Sequence, residues 1–302
     1  MNSVELQNVR KAYDKFVAVD DLSFTIAPGT MFGLLGPNGA GKTSTIRMIV
    51  GITLPDSGEI KVLGAPFSRE VLKRVGYLPE ERGLYPKMKV IDQLVFIAEL
   101  HGLSPAEAKR RAQSWGERLD IAQAYPKKTN ELSKGMQQKI QFIATLLHEP
   151  EFIIMDEPFS GLDPVNARLL EDTLLDLRKE GRTILFSTHR MDQVEKLCDN
   201  ICLVNKGKAV LSGNLRDIKK RYGHNRVQIA FEGQQNGHSL QSHRLATKVD
   251  SYEGYVSVEL APGASAQELL KDVSAQSAIS RFEVMEPSLE EIFIDVVGKT
   301  DA

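Results

Sequence analysis

Two periodicities divide the chain. Val4–Val9 and Leu22–Ile26 alternate apolar with polar positions and predict strands. Met31–Leu35 is a short apolar run that ends in a glycine-rich turn, and a helical segment follows from Lys42 to Val50. Val62, Leu63 and Val75–Leu78 predict further short strands. From Lys89 to His148 the spacing becomes helical. Val90, Ile91, Leu94, Val95 and Ala98 share one face, and Met136, Ile140, Ile143 and Leu147 share another. Between them, Ser104, Pro105 and Glu107 read as an N-cap, a proline at the first helical position and a box-type acid. Strand patterns return at Phe152–Met155, Thr183–Ser187 and Ile201–Val204, in runs apolar enough for burial on both faces. A helix pattern running from Val165 to Leu177, closed by Gly181, lies among them. Alternating strands and helices predict a parallel sheet wound with helices.

After about Ser212 the pattern weakens. Val227, Ile229 and Phe231 alternate as in a half-buried strand, and Tyr255–Leu260 and Phe282–Val284 predict more short strands. Ala266–Val273 and Leu289–Val297 look helical, and the polar stretch Glu232–Ser242 reads as a loop. We therefore expect an α/β domain over residues 1–213, with a helical subdomain at about 89–150, and a small α+β domain over 214–302. The length of 302 residues agrees with two domains.

Composition narrows the function. Hydrophobic residues are 42% and charged residues 26%, as in an ordinary globular protein. The 38 basic and 40 acidic side chains leave a charge of −2, without the basic excess of a nucleic-acid binder. No apolar run reaches the ~18 residues of a membrane-spanning helix, and Met1–Arg10 lacks signal-peptide character. Cys198 and Cys202 have no partners at metal-ligand spacing and read as reduced thiols of a cytosolic protein. Arg110-Arg111 and Lys127-Lys128 read as solvated helix faces.

Two segments carry chemistry. Gly36-Pro37-Asn38-Gly39-Ala40-Gly41-Lys42-Thr43 fits G-x-x-x-x-G-K-[ST] between a predicted strand and a predicted helix. Glycines there let backbone N–H groups approach phosphate oxygens, and the helix N-terminus adds partial positive charge. Lys42 would reach the β- and γ-phosphates and Thr43 would ligate Mg²⁺, with Ser44 beside it as a further nucleotide contact. The apolar strand Phe152–Met155 ends in Asp156 and Glu157, whose side chains leave the strand in different directions. Asp156 would hold Mg²⁺, directly or through water, and Glu157 would address the attacking water as general base.

The order of motifs resembles the nucleotide-binding subunit of ATP-binding cassette (ABC) transporters over roughly residues 3–213. After the phosphate loop and helical insert come Leu132-Ser133-Lys134-Gly135-Met136, the Asp-Glu strand, Ser160-Gly161-Leu162-Asp163 and His189. The resemblance implies two subunits that bind two ATP molecules head to tail. Ser133 and Gly135 would contact the γ-phosphate held by the partner, and Asp163 would link the two sites. His189 would contact the γ-phosphate and hold the attacking water, so Lys42, Glu157 and His189 form the implied catalytic set. Tyr13 would stack on adenine, and Glu80 would sense Mg²⁺ and couple to the membrane subunit through the loop Glu80–Lys89. Glu286–Phe293 resembles the tail of export-type cassettes whose permease is a separate chain, which implies a peripheral place on the inner face of the cell membrane.

The sequence departs from the family pattern at Lys134 and Met136, where Gly and Gln are usual, and at Glu80, where Gln is usual. Ionised, Glu80 can ligate Mg²⁺ but cannot donate a hydrogen bond. Two other classes stay in view: a soluble cassette acting on ribosomes or DNA, and a non-hydrolysing ATP-dependent module. A single cassette without a long heptad tract speaks against the first, and Glu157 against the second.

Overall fold

The computed structural model describes residues 2–81, 83–223, 226–232 and 240–300. The backbone forms two compact units, Met1–Asn214 and Leu215–Ala302.

The first unit holds two sheets. Strands β1 (Val4–Tyr13), β2 (Phe16–Ile26), β4 (Ser57–Val62) and β5 (Ala65–Pro66) form an antiparallel sheet in the order β2-β1-β4-β5. The second sheet has the order β10-β9-β3-β8-β7-β6. Its strands are β3 (Met31–Leu35), β6 (Val75–Leu78), β7 (Phe152–Asp156), β8 (Thr183–Thr188), β9 (Asn200–Asn205) and β10 (Lys208–Asn214). The pairings β9-β3-β8-β7-β6 are parallel, and β10 closes the edge antiparallel to β9. The expected parallel sheet is thus present, and a separate antiparallel sheet stands beside it. Inward side chains of that sheet, among them Leu6, Leu22 and Phe24, pack with Phe32, Phe152 and Leu185 of the parallel sheet and with Ile46 and Ile49 of α1 (Lys42–Ile49). Every residue of β3, β7 and β8 is buried, as strands covered on both faces must be.

Helices α3 (Val90–Leu100), α4 (Pro105–Arg118) and α5 (Lys134–Leu146) form the expected helical insert. Ser104 caps α4, accepting from the Glu107 N–H at 3.3 Å. The Glu107 carboxylate does not return to the cap. It binds Arg110 and Arg111, which hold its carboxyl down to about 2. Arg111 departs from its expected solvated position: it is half-buried and donates to the Leu147 carbonyl at 2.9 Å, tying α4 to the end of α5. In α6 (Pro164–Lys179), Leu170, Thr173, Leu174 and Leu177 face inward, but Val165 is 79% exposed and belongs to the surface instead. Both cysteines are free, and burial pushes the Cys202 thiol up to about 12.

The second unit is a four-stranded antiparallel sheet, order β12-β13-β11-β14, from β11 (Arg226–Phe231), β12 (Ala246–Tyr252), β13 (Tyr255–Leu260) and β14 (Ile279–Met285). Val227, Ile229, Val256 and Val258 bury one face together with Leu269 and Val273 of α9 (Ala266–Ser274). Helices α8 (Leu215–Tyr222) and α10 (Leu289–Thr300) pack on each other. Of the expected loop at 232–242, residues 233–239 lie outside the described residues. No helix among the described residues is long and apolar enough to cross a membrane.

Candidate functional site

The carboxyl ends of β3, β8 and β7 lie side by side, with Leu35 opposite Thr188 and Ser187 opposite Asp156. Parallel sheets gather ligands at this edge. The loop from β3 into α1 wraps tightly. A Cβ on Gly36 (φ +150°) would stand 2.1 Å from the Val204 carbonyl oxygen, and one on Gly41 (φ +108°) would stand 2.3 Å from that of Ala18. Both positions therefore require glycine. No side chain caps the N-terminus of α1, so amides of its first turn are left for a ligand. The Lys42 ammonium donates to the carbonyls of Gly36 at 2.7 Å and Pro37 at 3.1 Å. Burial lowers its pKa, and the charges of Glu157, Asp156 and Glu80 oppose that shift.

A cavity of about 260 Å³ opens over this loop. Lys42, Thr43 and Ser44 meet Glu80, Asp156 and Glu157 there, with Asn38, Gly39 and Gly41 from the loop. Phe16 and Ala18 of β2 complete the wall. Phe16 is 61% exposed and carried no sequence signal beyond its closeness to Tyr13. Tyr13 itself is not part of the lining. It faces Phe16 across the β1–β2 turn, with the Lys11 ammonium 5.7 Å from its ring centre.

The two acids at the end of β7 have different surroundings. The Ser187 hydroxyl donates to Asp156 Oδ1, while Asp156 Oδ2 is buried without a hydrogen-bond partner among the described residues. Such an orphaned oxygen fits a hard cation or its water, and the Thr43 hydroxyl and Glu80 carboxylate lie in the same cavity. Glu157 sits in the left-handed region at φ +50°, and its N–H is held by Ser187 Oγ at 3.2 Å. The bend turns its carboxylate toward the end of β8. There Glu157 Oε1 accepts from the His189 N–H at 3.1 Å and lies 2.9 Å from His189 Nδ1. The Thr188 hydroxyl donates to Oε2 at 3.3 Å.

The remaining residues singled out in the sequence gather elsewhere. Ser133, Gly135 and Asp163 line a second cavity of about 400 Å³, with Lys134, Met136 and Lys139. Ser133 caps α5 through the Met136 N–H, and Asp163 caps α6 through the N–H groups of Val165 and Asn166. Bonds from Asn166 hold the Asp163 carboxyl below its ordinary range. Lys139, which the sequence did not single out, is buried and donates to the Leu119 carbonyl at 2.9 Å. The two cavities share no residue.

Comparison with known proteins agrees with this geometry. Residues 19–160 match the family described as ABC transporter, and residues 213–297 match the one described as ATP-binding protein DrrA1-3-like, C-terminal domain. The chain is 46% identical to the "Uncharacterized ABC transporter ATP-binding protein YhaQ" of Bacillus subtilis, over 97% of this chain and 98% of that protein. It is 36% identical to the Nod factor export ATP-binding protein I of Burkholderia pseudomallei, over 76% of this chain and 79% of that protein. A solved ATP-binding subunit of an ABC transporter superposes with a TM-score of 0.68 at 31% identity, covering 73% of this chain and 93% of that one. The chain belongs to the ATP-binding subunits of ABC transporters and is an ATPase that binds ATP.

Proposed function

We propose that this chain powers an exporter whose membrane-spanning part is a separate chain, and that it works as a head-to-tail pair of cassettes at the inner face of the membrane. The observation that carries the pairing is the separation of the two cavities. Within one chain the phosphate-loop residues and the Ser133–Gly135 segment line different spaces. Each cavity is half of a site, and a second cassette supplies the other half. The exporter reading is supported by the Nod factor export relative and by the match of residues 213–297.

In this reading the glycine loop and the first turn of α1 bind the phosphates through backbone N–H groups. Lys42 exchanges its two carbonyl partners for phosphate oxygens, a stronger charge-assisted contact. Thr43, Glu80 and the orphaned Oδ2 of Asp156 hold Mg²⁺, which when bound offsets negative charge on the phosphates. Glu157 accepts a proton from the attacking water. His189, anchored to Glu157, orients that water toward the γ-phosphate. Ser133 and Gly135 of the second cassette close over the same phosphate, and Asp163 links the sites. Tyr13 stacks on adenine, with Phe16 beside it toward the phosphates. The unit Met1–Asn214 is the cassette, and Leu215–Ala302 is the accessory domain.

Mixing two disabled variants tests the pairing. Lys42→Ala removes the phosphate contact, and Ser133→Arg blocks the opposite half-site. Each alone should turn over little ATP, while the mixture regains one intact site and activity well above the sum of its parts. A mixture no more active than that sum would count against a shared site. Detergent purification of the tagged chain should bring down a membrane protein; recovery without one would count against the exporter reading.

A further inference from the structure

A cavity in the second unit belongs to neither half-site. It lies between the polar face of the sheet and the helices α8 and α10, with a volume of about 420 Å³. That is the size of a small-molecule pocket, at roughly 300–1,000 Å³. Strand register explains the lining. On β13, Val256, Val258 and Leu260 point into the core, so Tyr255, Ser257 and Glu259 point the other way. Arg226 and Gln228 stand opposite Glu259 and Ser257 on the same face.

The chemistry of this space is specific. Tyr252 and Tyr255 stack with ring centres 4.9 Å apart and planes 18° apart, and Tyr222 adds a third ring to the wall. Four carboxylates line the cavity, Glu259, Glu286, Glu291 and Asp295, against one guanidinium, Arg226. Arg226 is already paired with Glu291 at 2.7 Å. Lys248, on the neighbouring strand, is paired with Asp250 at 3.0 Å, and neither lines the space. Ser257 is 8% exposed, opens onto the cavity, and its hydroxyl has no hydrogen-bond partner among the described residues. Its hydroxyl therefore offers a polar contact to a molecule seated in the cavity.

The geometry points to a binding site for an organic cation, an amine or quaternary ammonium carried on an aromatic body. The ring faces attract the cation, Glu259 and Glu286 set the sign of charge, and the stacked tyrosines take the flat apolar part. An anionic ligand would meet the carboxylates of Glu259 and Glu286 and a guanidinium already engaged by Glu291.

The test is calorimetry on the full-length chain with benzyltrimethylammonium, using phenylmethanesulfonate as an anion of similar size. Saturable binding of the cation and none of the anion is expected. Tyr252→Ala and Tyr255→Ala should each weaken binding by about 3- to 30-fold, the range of a cation–π contact. Tyr252→Phe should keep it, and Glu259→Gln should weaken it. Lys42→Ala should leave cation affinity unchanged, which separates this site from the nucleotide site. Unaltered ATP turnover in Tyr252→Ala checks that the variant is folded. Absence of saturable binding, equal binding of the anion, or full affinity in both tyrosine-to-alanine variants would overturn the assignment.

Discussion

His189 Nδ1 lies 2.9 Å from Glu157 Oε1, and the His189 N–H donates to the same oxygen at 3.1 Å. Two contacts from one residue fix the carboxylate of Glu157, whose backbone is itself held in the left-handed region at φ +50°. In the proposed function this carboxylate takes a proton from a particular water, and a fixed position serves that step.

Ser187 should matter as much as either acid. Its hydroxyl donates to Asp156 Oδ1 and accepts from the Glu157 N–H, so one side chain sets both. Ser187→Ala leaves a buried carboxylate oxygen without its donor, a cost of about 1–3 kcal/mol. We expect denaturant midpoints to fall accordingly and ATP turnover to drop, with Ser187→Thr restoring most of both. Turnover and stability unchanged in Ser187→Ala would remove Ser187 from the site.

Gly41→Ala should damage the cassette and its ATP affinity together. The residue has φ +108°, and a Cβ there would stand 2.3 Å from the Ala18 carbonyl oxygen. Strain and overpacking should cost about 2 kcal/mol or more. Thermal unfolding and ATP titration of the same preparation check this. A variant with the stability of the parent would show that the loop can move aside.

Phe16→Ala should weaken ATP binding by roughly 2- to 12-fold, the value of one aromatic contact. Phe16 lines the phosphate-loop cavity, whereas Tyr13, its partner across the β1–β2 turn, does not. Equal ATP affinity in Phe16→Ala and the parent would leave Tyr13 as the sole aromatic contact.

His148 should make stability depend on pH. Its Nε2 lies 3.1 Å from the Val75 carbonyl, Nδ1 is buried without a partner among the described residues, and the ring stacks on His101 at 3.8 Å. Burial and the neighbouring His101 push its pKa down to about 4. The unfolded chain, with an ordinary value near ~6.5, therefore binds the proton first as pH falls. The stabilisation is complete above about pH 6.5 and is lost as pH falls toward about 4, amounting to about 3 kcal/mol. Urea unfolding at pH 7 and pH 5 should show a smaller difference in His148→Gln than in the parent; equal differences would refute this.

The parts of this protein that the sequence made legible are those where chemistry or periodicity allows few alternatives. The phosphate loop needs glycines where a Cβ would strike the Val204 and Ala18 carbonyls. Buried strands such as Phe152–Asp156 are apolar throughout. Elements with one weakly apolar stripe carry little signal in the sequence. Strand β12 keeps no residue fully buried, and in α8 Leu215 and Ile218 alone are buried among basic neighbours. Arg111 misled because a charged pair on a helix normally faces water, while its guanidinium reaches the Leu147 carbonyl. Ser187 gave no signal, since a serine ending a strand is common and its partners are 30 and 31 residues away.

In the proposed function Glu157 takes the proton from the attacking water in a site shared by two cassettes. The most direct measurement is steady-state ATP turnover of Glu157→Gln, with its oligomeric state followed by size-exclusion chromatography in ATP. Turnover should fall by about 100-fold or more, as for loss of a general base, and the variant should elute as an ATP-dependent dimer. Turnover near that of the parent, or a monomer at saturating ATP, would contradict it.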